Sequence, residues 1–101
     1  MSNKVYTIEE LKKKISKILS VFPVEKAILF GSYAKGEADS KSDVDLVIKL
    51  NELDGFLFYG ILETLVTSLK KDVDLIEQRE IIQGGKVDKE ILKTGVVIYG
   101  E

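Results

Sequence analysis

From Asp43 to Leu50 the chain reads Asp-Val-Asp-Leu-Val-Ile-Lys-Leu, and this alternation fixes how the segment must sit in a fold. Val44, Leu46, Ile48 and Leu50 fall two residues apart, so on a strand they share one face while Asp43 and Asp45 share the other. A slip of one residue would drive both carboxylates into the core, so the apolar row specifies the register. Two carboxylates converging on one side repel and raise each other's pKa unless a cation lies between them. Oxygen-only ligands select a hard ion such as magnesium or manganese.

The stretch just upstream supplies a second half to this arrangement. Residues 27–30, Ala-Ile-Leu-Phe, read as a short buried strand, and Ser32, Tyr33, Ala34 and Lys35 as the first turn of a helix. Glycine at 31 lets the main chain turn sharply and approach a ligand closely, and the Ser32 hydroxyl is able to donate to a phosphate oxygen. Lys35, one turn on, adds a positive charge. Ten residues separate Ser32 from Asp43. The layout is one for holding magnesium and a triphosphate. The structural alternatives are a turn-and-cap role for Asp43 and Asp45, and an ordinary surface position for Lys35.

The residues that are missing narrow the chemistry. The 101-residue chain has no cysteine and no histidine, which removes disulfides, a thiolate nucleophile, the usual zinc ligands and the usual general base. Any reaction rests on carboxylates, lysines and hydroxyls. With 45% hydrophobic and 32% charged residues, the composition is that of one ordinary globular domain. A net charge of -2 lacks the dense basic surface of a general nucleic-acid binder. The polar start and the lack of an apolar run of about 18 residues predict neither a signal peptide nor a membrane span, and a cytoplasmic location is expected.

Elsewhere, Thr7-Ile8-Glu9-Glu10 forms a capping box, and Ile8, Leu11, Ile15, Ile18, Leu19 and Phe22 recur at helical spacing until Pro23. Lys12, Lys13, Lys14 and Lys17 read as the solvated face of that helix. Residues 56–71 predict a second long helix whose apolar arc, Phe56 through Leu69, is broader than one core-facing stripe needs; burial is the reading, with a partner surface as its alternative. Residues 73–76 predict a strand, 80–83 a short segment, Gly84-Gly85 a turn, 87–93 a last helix and 96–99 an edge strand. Glu37, Asp39, Lys41, Glu77 and Arg79 read as surface charges, and Tyr33 as a helix-surface or base-stacking residue. The alternation predicts an α/β (α+β) domain with helices packed on a small mixed sheet.

The Gly31-Ser32 pair, the ten-residue gap and Asp43-Val44-Asp45 together resemble the signature of the DNA polymerase beta-like nucleotidyltransferases. Nearly the whole chain resembles the minimal nucleotidyltransferase (MNT) branch, so 1–101 is expected to form a single such domain. Ser42-Asp43-Val44-Asp45-Leu46-Val47 matches the second motif closely. The family's third aspartate corresponds to Asp74 within Val73-Asp74-Leu75-Ile76, for which a solvent-facing structural role is the alternative; Asp72 matches less well. Lys35 departs from the arginine of many relatives, keeping the charge but losing the bidentate fork.

This resemblance implies the nucleotidyltransferase fold, with Asp43, Asp45 and Asp74 as catalytic residues and as ligands of one or two magnesium ions, manganese being a possible substitute. It places Gly31, Ser32 and Lys35 at the nucleotide, with ATP as substrate. Many MNT proteins are the antitoxin half of HEPN/MNT toxin-antitoxin pairs, so the implied activity is transfer of AMP to a hydroxyl, expected to be a tyrosine, of a HEPN ribonuclease toxin held in a hetero-oligomer. One alternative is an antitoxin acting by contact alone through the apolar surface of 56–69. The other is a nucleotidyltransferase for a small molecule such as an aminoglycoside, a class that usually brings a further acceptor domain.

Overall fold

The computed structural model describes residues 4–100. In chain order its elements are α1 (Ile8–Leu19), β1 (Val24–Phe30), α2 (Gly31–Lys35), β2 (Val44–Leu50), α3 (Gly55–Leu69), β3 (Val73–Glu77), a 3-10 turn (Gln78–Glu80), α4 (Lys86–Thr94) and β4 (Val96–Tyr99). The strands form one mixed sheet in the order β3-β2-β1-β4. β1 runs antiparallel to both β2 and β4, while β2 and β3 are parallel and joined through α3, as a parallel pair requires. The expected small mixed sheet with helices packed on it is what forms.

The capping box opens α1: the Thr7 hydroxyl accepts from the Glu10 amide and the Glu10 carboxylate from the Thr7 amide, each at 3.0 Å. Leu11, Ile15 and Leu19 are buried, and Lys12, Lys13, Lys14 and Lys17 are exposed. Two hydrogen bonds seat the helix and the segment before it: the Ser16 hydroxyl donates to the Ile98 carbonyl at 2.8 Å, and the Tyr6 hydroxyl to the Leu69 carbonyl at 2.9 Å.

Val44, Leu46, Ile48 and Leu50 all lie fully inside the main core with the stripes of α1 and α3, so the alternation does fix the face of β2. The opposite face is not simply open. Phe30 and Val47 on that side are also buried, apart from the main core. α4 packs against β1 and α2, and a Cβ on Gly95, at its end, would stand 3.1 Å from Ile28 Cγ2. The sheet is therefore lined on both faces near its middle.

The broad apolar arc of α3 divides. Ile61, Leu65 and Leu69 are buried, but Phe56 is 93% exposed, with Leu53 and Tyr59 also exposed beside it. A hollow of about 420 Å³ lies next to them, lined by Leu50, Leu53, Phe58, Tyr59, Leu75 and Glu77 among others. The helix opens on Asp54, whose carboxylate accepts from the Phe56 and Leu57 amides, and it closes at Leu69 because Lys70 turns left-handed.

Glu77 corrects the expectation of surface charge, while Arg79 is exposed as expected. Glu77 is 1% exposed and accepts from the Leu50 amide at 3.0 Å and the Arg79 amide at 2.6 Å. The Arg79 guanidinium donates to the Leu50 carbonyl at 3.0 Å and lies 3.6 Å from the same carboxylate. The pair thus binds the ends of β2 and β3 together, which alternation alone does not reveal. Glu77→Ala leaves the Leu50 and Arg79 amides without their acceptor, removes the guanidinium's ion-pair partner and should lower unfolding free energy by about 2–4 kcal/mol. Urea titration with an unchanged m value would measure it; a loss below about 0.5 kcal/mol, the range of ordinary surface substitutions, would show that the clasp holds nothing.

Candidate active site

The site forms where β1 ends and β2 begins. In the antiparallel pair Phe30 stands opposite Asp45, and in the parallel pair Asp45 stands beside Asp74. Gly31 follows Phe30 immediately and takes φ +73°, the left-handed region that favours glycine. A Cβ at Gly31 would land on the Asp45 carboxylate, whose Cγ would be 3.0 Å away. The main chain at 31 therefore lies against that carboxylate; the close approach expected of this glycine is to a ligand, and the one present is to Asp45.

α2 is a single turn from Gly31 to Lys35, closed by left-handed Gly36. Ser32 is half-buried and Lys35 exposed. Tyr33 neither stacks toward a ligand nor lies on the surface: it is 2% exposed within the main core, and its hydroxyl has no hydrogen-bond partner among the described residues. The turn of α2 points it inward, a direction that the short helix's sequence pattern is too brief to specify.

The loop back to β2 is built, not slack. The Asp39 carboxylate accepts from the Lys41 amide at 2.9 Å and from the Ser42 hydroxyl at 3.3 Å, and that hydroxyl also accepts from the Asp39 amide at 2.9 Å. Asp39 is exposed as expected but organises this turn. The buried Lys71 ammonium donates to the Ser40 carbonyl at 3.2 Å, and the Val44 amide to the Asp72 carbonyl at 3.0 Å. Asp43 is thereby held one residue before β2 and exposed.

Burial raises the Asp45 pKa to about 6, helped by the negative charges of Asp74, Asp43 and Glu90 in that order. The three aspartates singled out in the sequence are thus one electrostatic cluster, and α4 adds Glu90. Sequence reasoning does not find Glu90, although its signal exists: it lies three residues after Val87 and next to Ile91, on the flank of the inward stripe of α4. Asp43, Asp45 and Asp74 are the residues able to hold a divalent cation. Their oxygen donors and crowded negative charge fit a hard ion. Among the described residues no three His, Cys, Asp or Glu side chains are already grouped so as to hold a metal ion.

Residues 13–101 match the family model described as polymerase beta, nucleotidyltransferase. The chain belongs to that nucleotidyltransferase family. A relative from Methanocaldococcus jannaschii is 50% identical over 46 residues, only 46% of either chain. The protein adenylyltransferase MntA of Thermococcus cleftensis is 31% identical over 97 residues, covering 89% of this chain and 85% of the relative. Among solved structures, a toxin-antitoxin crystal structure with AMP-PNP contains a chain superposing with a TM-score of 0.75 at 26% identity, over 89% of this chain and 73% of that one. The mixed sheet is accordingly the nucleotidyltransferase fold, and this family is one of enzymes. No helix among the described residues is long and apolar enough to cross a membrane.

Two outcomes follow from the geometry of this nucleotidyltransferase. The folded Asp45 pKa, about 6, lies above the ordinary aspartate value of 3.8, so the penalty on folding is absent below 3.8, grows as pH rises from 3.8 to 6 and is fully present above 6. Without metal, Asp45→Asn should therefore be more stable than the parent at neutral pH by roughly 1–2 kcal/mol, after allowance for solvent screening of a half-buried group. Melting curves should converge near pH 4; a variant less stable at every pH would refute the crowding. Gly31→Ala should cost about 1–3 kcal/mol, and pairing it with Asp45→Ala should recover part of the loss. Strict additivity in that double-mutant cycle would mean that the two residues do not touch.

Proposed function

We propose that this chain transfers AMP from ATP to a hydroxyl of a partner protein, a tyrosine in the first instance, and thereby acts as antitoxin to a HEPN-type toxin. The observation that carries the reading is the glycine main chain lying against a carboxylate that shares its field with two more aspartates. The relative named protein adenylyltransferase MntA, and the superposed toxin-antitoxin structure with AMP-PNP, support it. A reaction that consumes ATP suits the cytoplasm.

In this reading Gly31 and Ser32 orient the phosphates, with Gly31 giving room at the α-phosphate and Ser32 donating from its hydroxyl. Lys35 meets negative charge farther along the nucleotide. The acceptor oxygen attacks the α-phosphorus, the bond to the bridging oxygen of the β-phosphate breaks, and pyrophosphate leaves in line. Asp74, exposed at the rim beside Asp45, takes the acceptor's proton or orients the hydroxyl. Magnesium, held by Asp43, Asp45 and Asp74, would supply the positive charge that lets three carboxylates and a polyphosphate share one site.

A second reading has its own observation. The exposed cluster of Leu53, Phe56 and Tyr59 suits a toxin held by contact alone. Co-expression with the product of the neighbouring reading frame, followed by intact-mass measurement of that product, separates the two. The enzyme reading expects a gain of whole AMP units that disappears in the Asp43→Asn, Asp45→Asn double variant and when purified components are mixed under a magnesium chelator. Unchanged mass with stable co-elution would instead make this chain a binding antitoxin.

A further inference from the structure

α2 and α4 face each other across a cleft of about 540 Å³ lined by Lys35, Glu37, Lys89, Glu90, Lys93 and Thr94. That volume lies within the range of small-molecule sites. We propose that this cleft seats the polyphosphate tail of the nucleotide and then the departing pyrophosphate, with Lys89 and Lys93 of α4 joining Lys35. The proposal rests on the nucleotidyl-transfer reading above and deepens it.

Three features converge on it. Lys89 and Lys93 are four residues apart on a helix, so their ammonium groups ride the same face, and like charges at that spacing destabilise the helix. Lys93 has an independent reason to be there, since it sits in the last turn of α4, where positive charge is favoured; Lys89, a turn earlier, has no such reason. Among the described residues the ion pairs are Lys4 with Glu10, Lys49 with Glu25 and Arg79 with Glu77, so none of the three cleft lysines has a carboxylate partner. A repulsive set of unpaired cations from two elements is what a multiply charged anion relieves.

The cleft's place in the molecule agrees with its charge. Glu90 lines the cleft and its charge also reaches Asp45, so the cleft and the carboxylates have α4 as a common neighbour. α2 is one turn, about 7 Å long, and spans from Gly31 at the Asp45 carboxylate to Lys35 at the cleft. An α-phosphate at the carboxylates therefore leaves the β- and γ-phosphates to run along α2 into the three lysines. In a chain whose net charge is -2, the cleft lining carries three positive and two negative side chains, a local excess of the required sign.

The test is binding of ATP, AMP and inorganic pyrophosphate to the full chain, with magnesium, by isothermal titration. Lys89→Gln with Lys93→Gln should weaken ATP and pyrophosphate about tenfold while AMP changes less than about twofold, and the salt dependence of ATP binding should flatten. Lys12→Gln with Lys13→Gln removes the same charge from the solvated face of α1 and should bind all three ligands as the parent does. Equal ATP affinity in the parent and the α4 variant, or equal losses from the α1 and α4 variants, would overturn the proposal while leaving the transfer reading intact. A parent that binds no ATP would overturn both. Both variants alter exposed helix positions, and matching melting temperatures would verify that each is folded.

Discussion

The contact between the Gly31 main chain and the Asp45 carboxylate is the constraint from which the rest of the site follows. It requires β1 to end one residue before a left-handed turn, β2 to present an aspartate opposite that end, and nothing larger than hydrogen at the turn. Once these hold, α2 must start at the sheet's edge and the chain must return within a short loop to begin β2 on register. The Asp39 turn and the Lys71 bond to Ser40 hold that loop, so the entropy of placing Asp43 is met by specific hydrogen bonds and not by the strand alone.

The same geometry stores an electrostatic conflict. Asp45 is half-buried among negative groups, and its carboxyl gives up a proton reluctantly. A protein whose total stability is of order 5–15 kcal/mol gives away a noticeable fraction of it by keeping such a cluster. The exposed like-charged lysines on α4 repeat the pattern with opposite sign. The two sets are of the signs that a cation and a polyanion, as proposed above, would relieve. The buried Glu77, by contrast, has its hydrogen bonds satisfied and belongs to the architecture.

How much of this was legible in the sequence depended on whether a pattern had a period. Val44, Leu46, Ile48 and Leu50 announce their strand and its face, Thr7 and Glu10 announce the start of α1, and Gly31-Ser32 with Asp43 and Asp45 announce the site. What escaped reading has no period to betray it. Glu77 takes an alternating position that sends it inward, yet the donors its carboxylate accepts from belong to Leu50 and Arg79, and only the three-dimensional register brings Leu50 near. Tyr33 lies in a helix too short to show a stripe. Glu90 reaches Asp45 across 45 residues of chain, and the arc of α3 divides because Ile61, Leu65 and Leu69 share a side of the helix that Phe56 and Tyr59 do not.

β2 also works as a spacer. Its start carries Asp45, with Asp43 just before it, and its last residue, Leu50, borders the hollow beside the exposed Phe56 and Tyr59. Seven residues of extended chain put about 20 Å between these ends. At that distance substitutions at the two ends act independently in free energy. Size then becomes a filter: a metabolite seated at either end leaves the other untouched, and only a macromolecule bridges both.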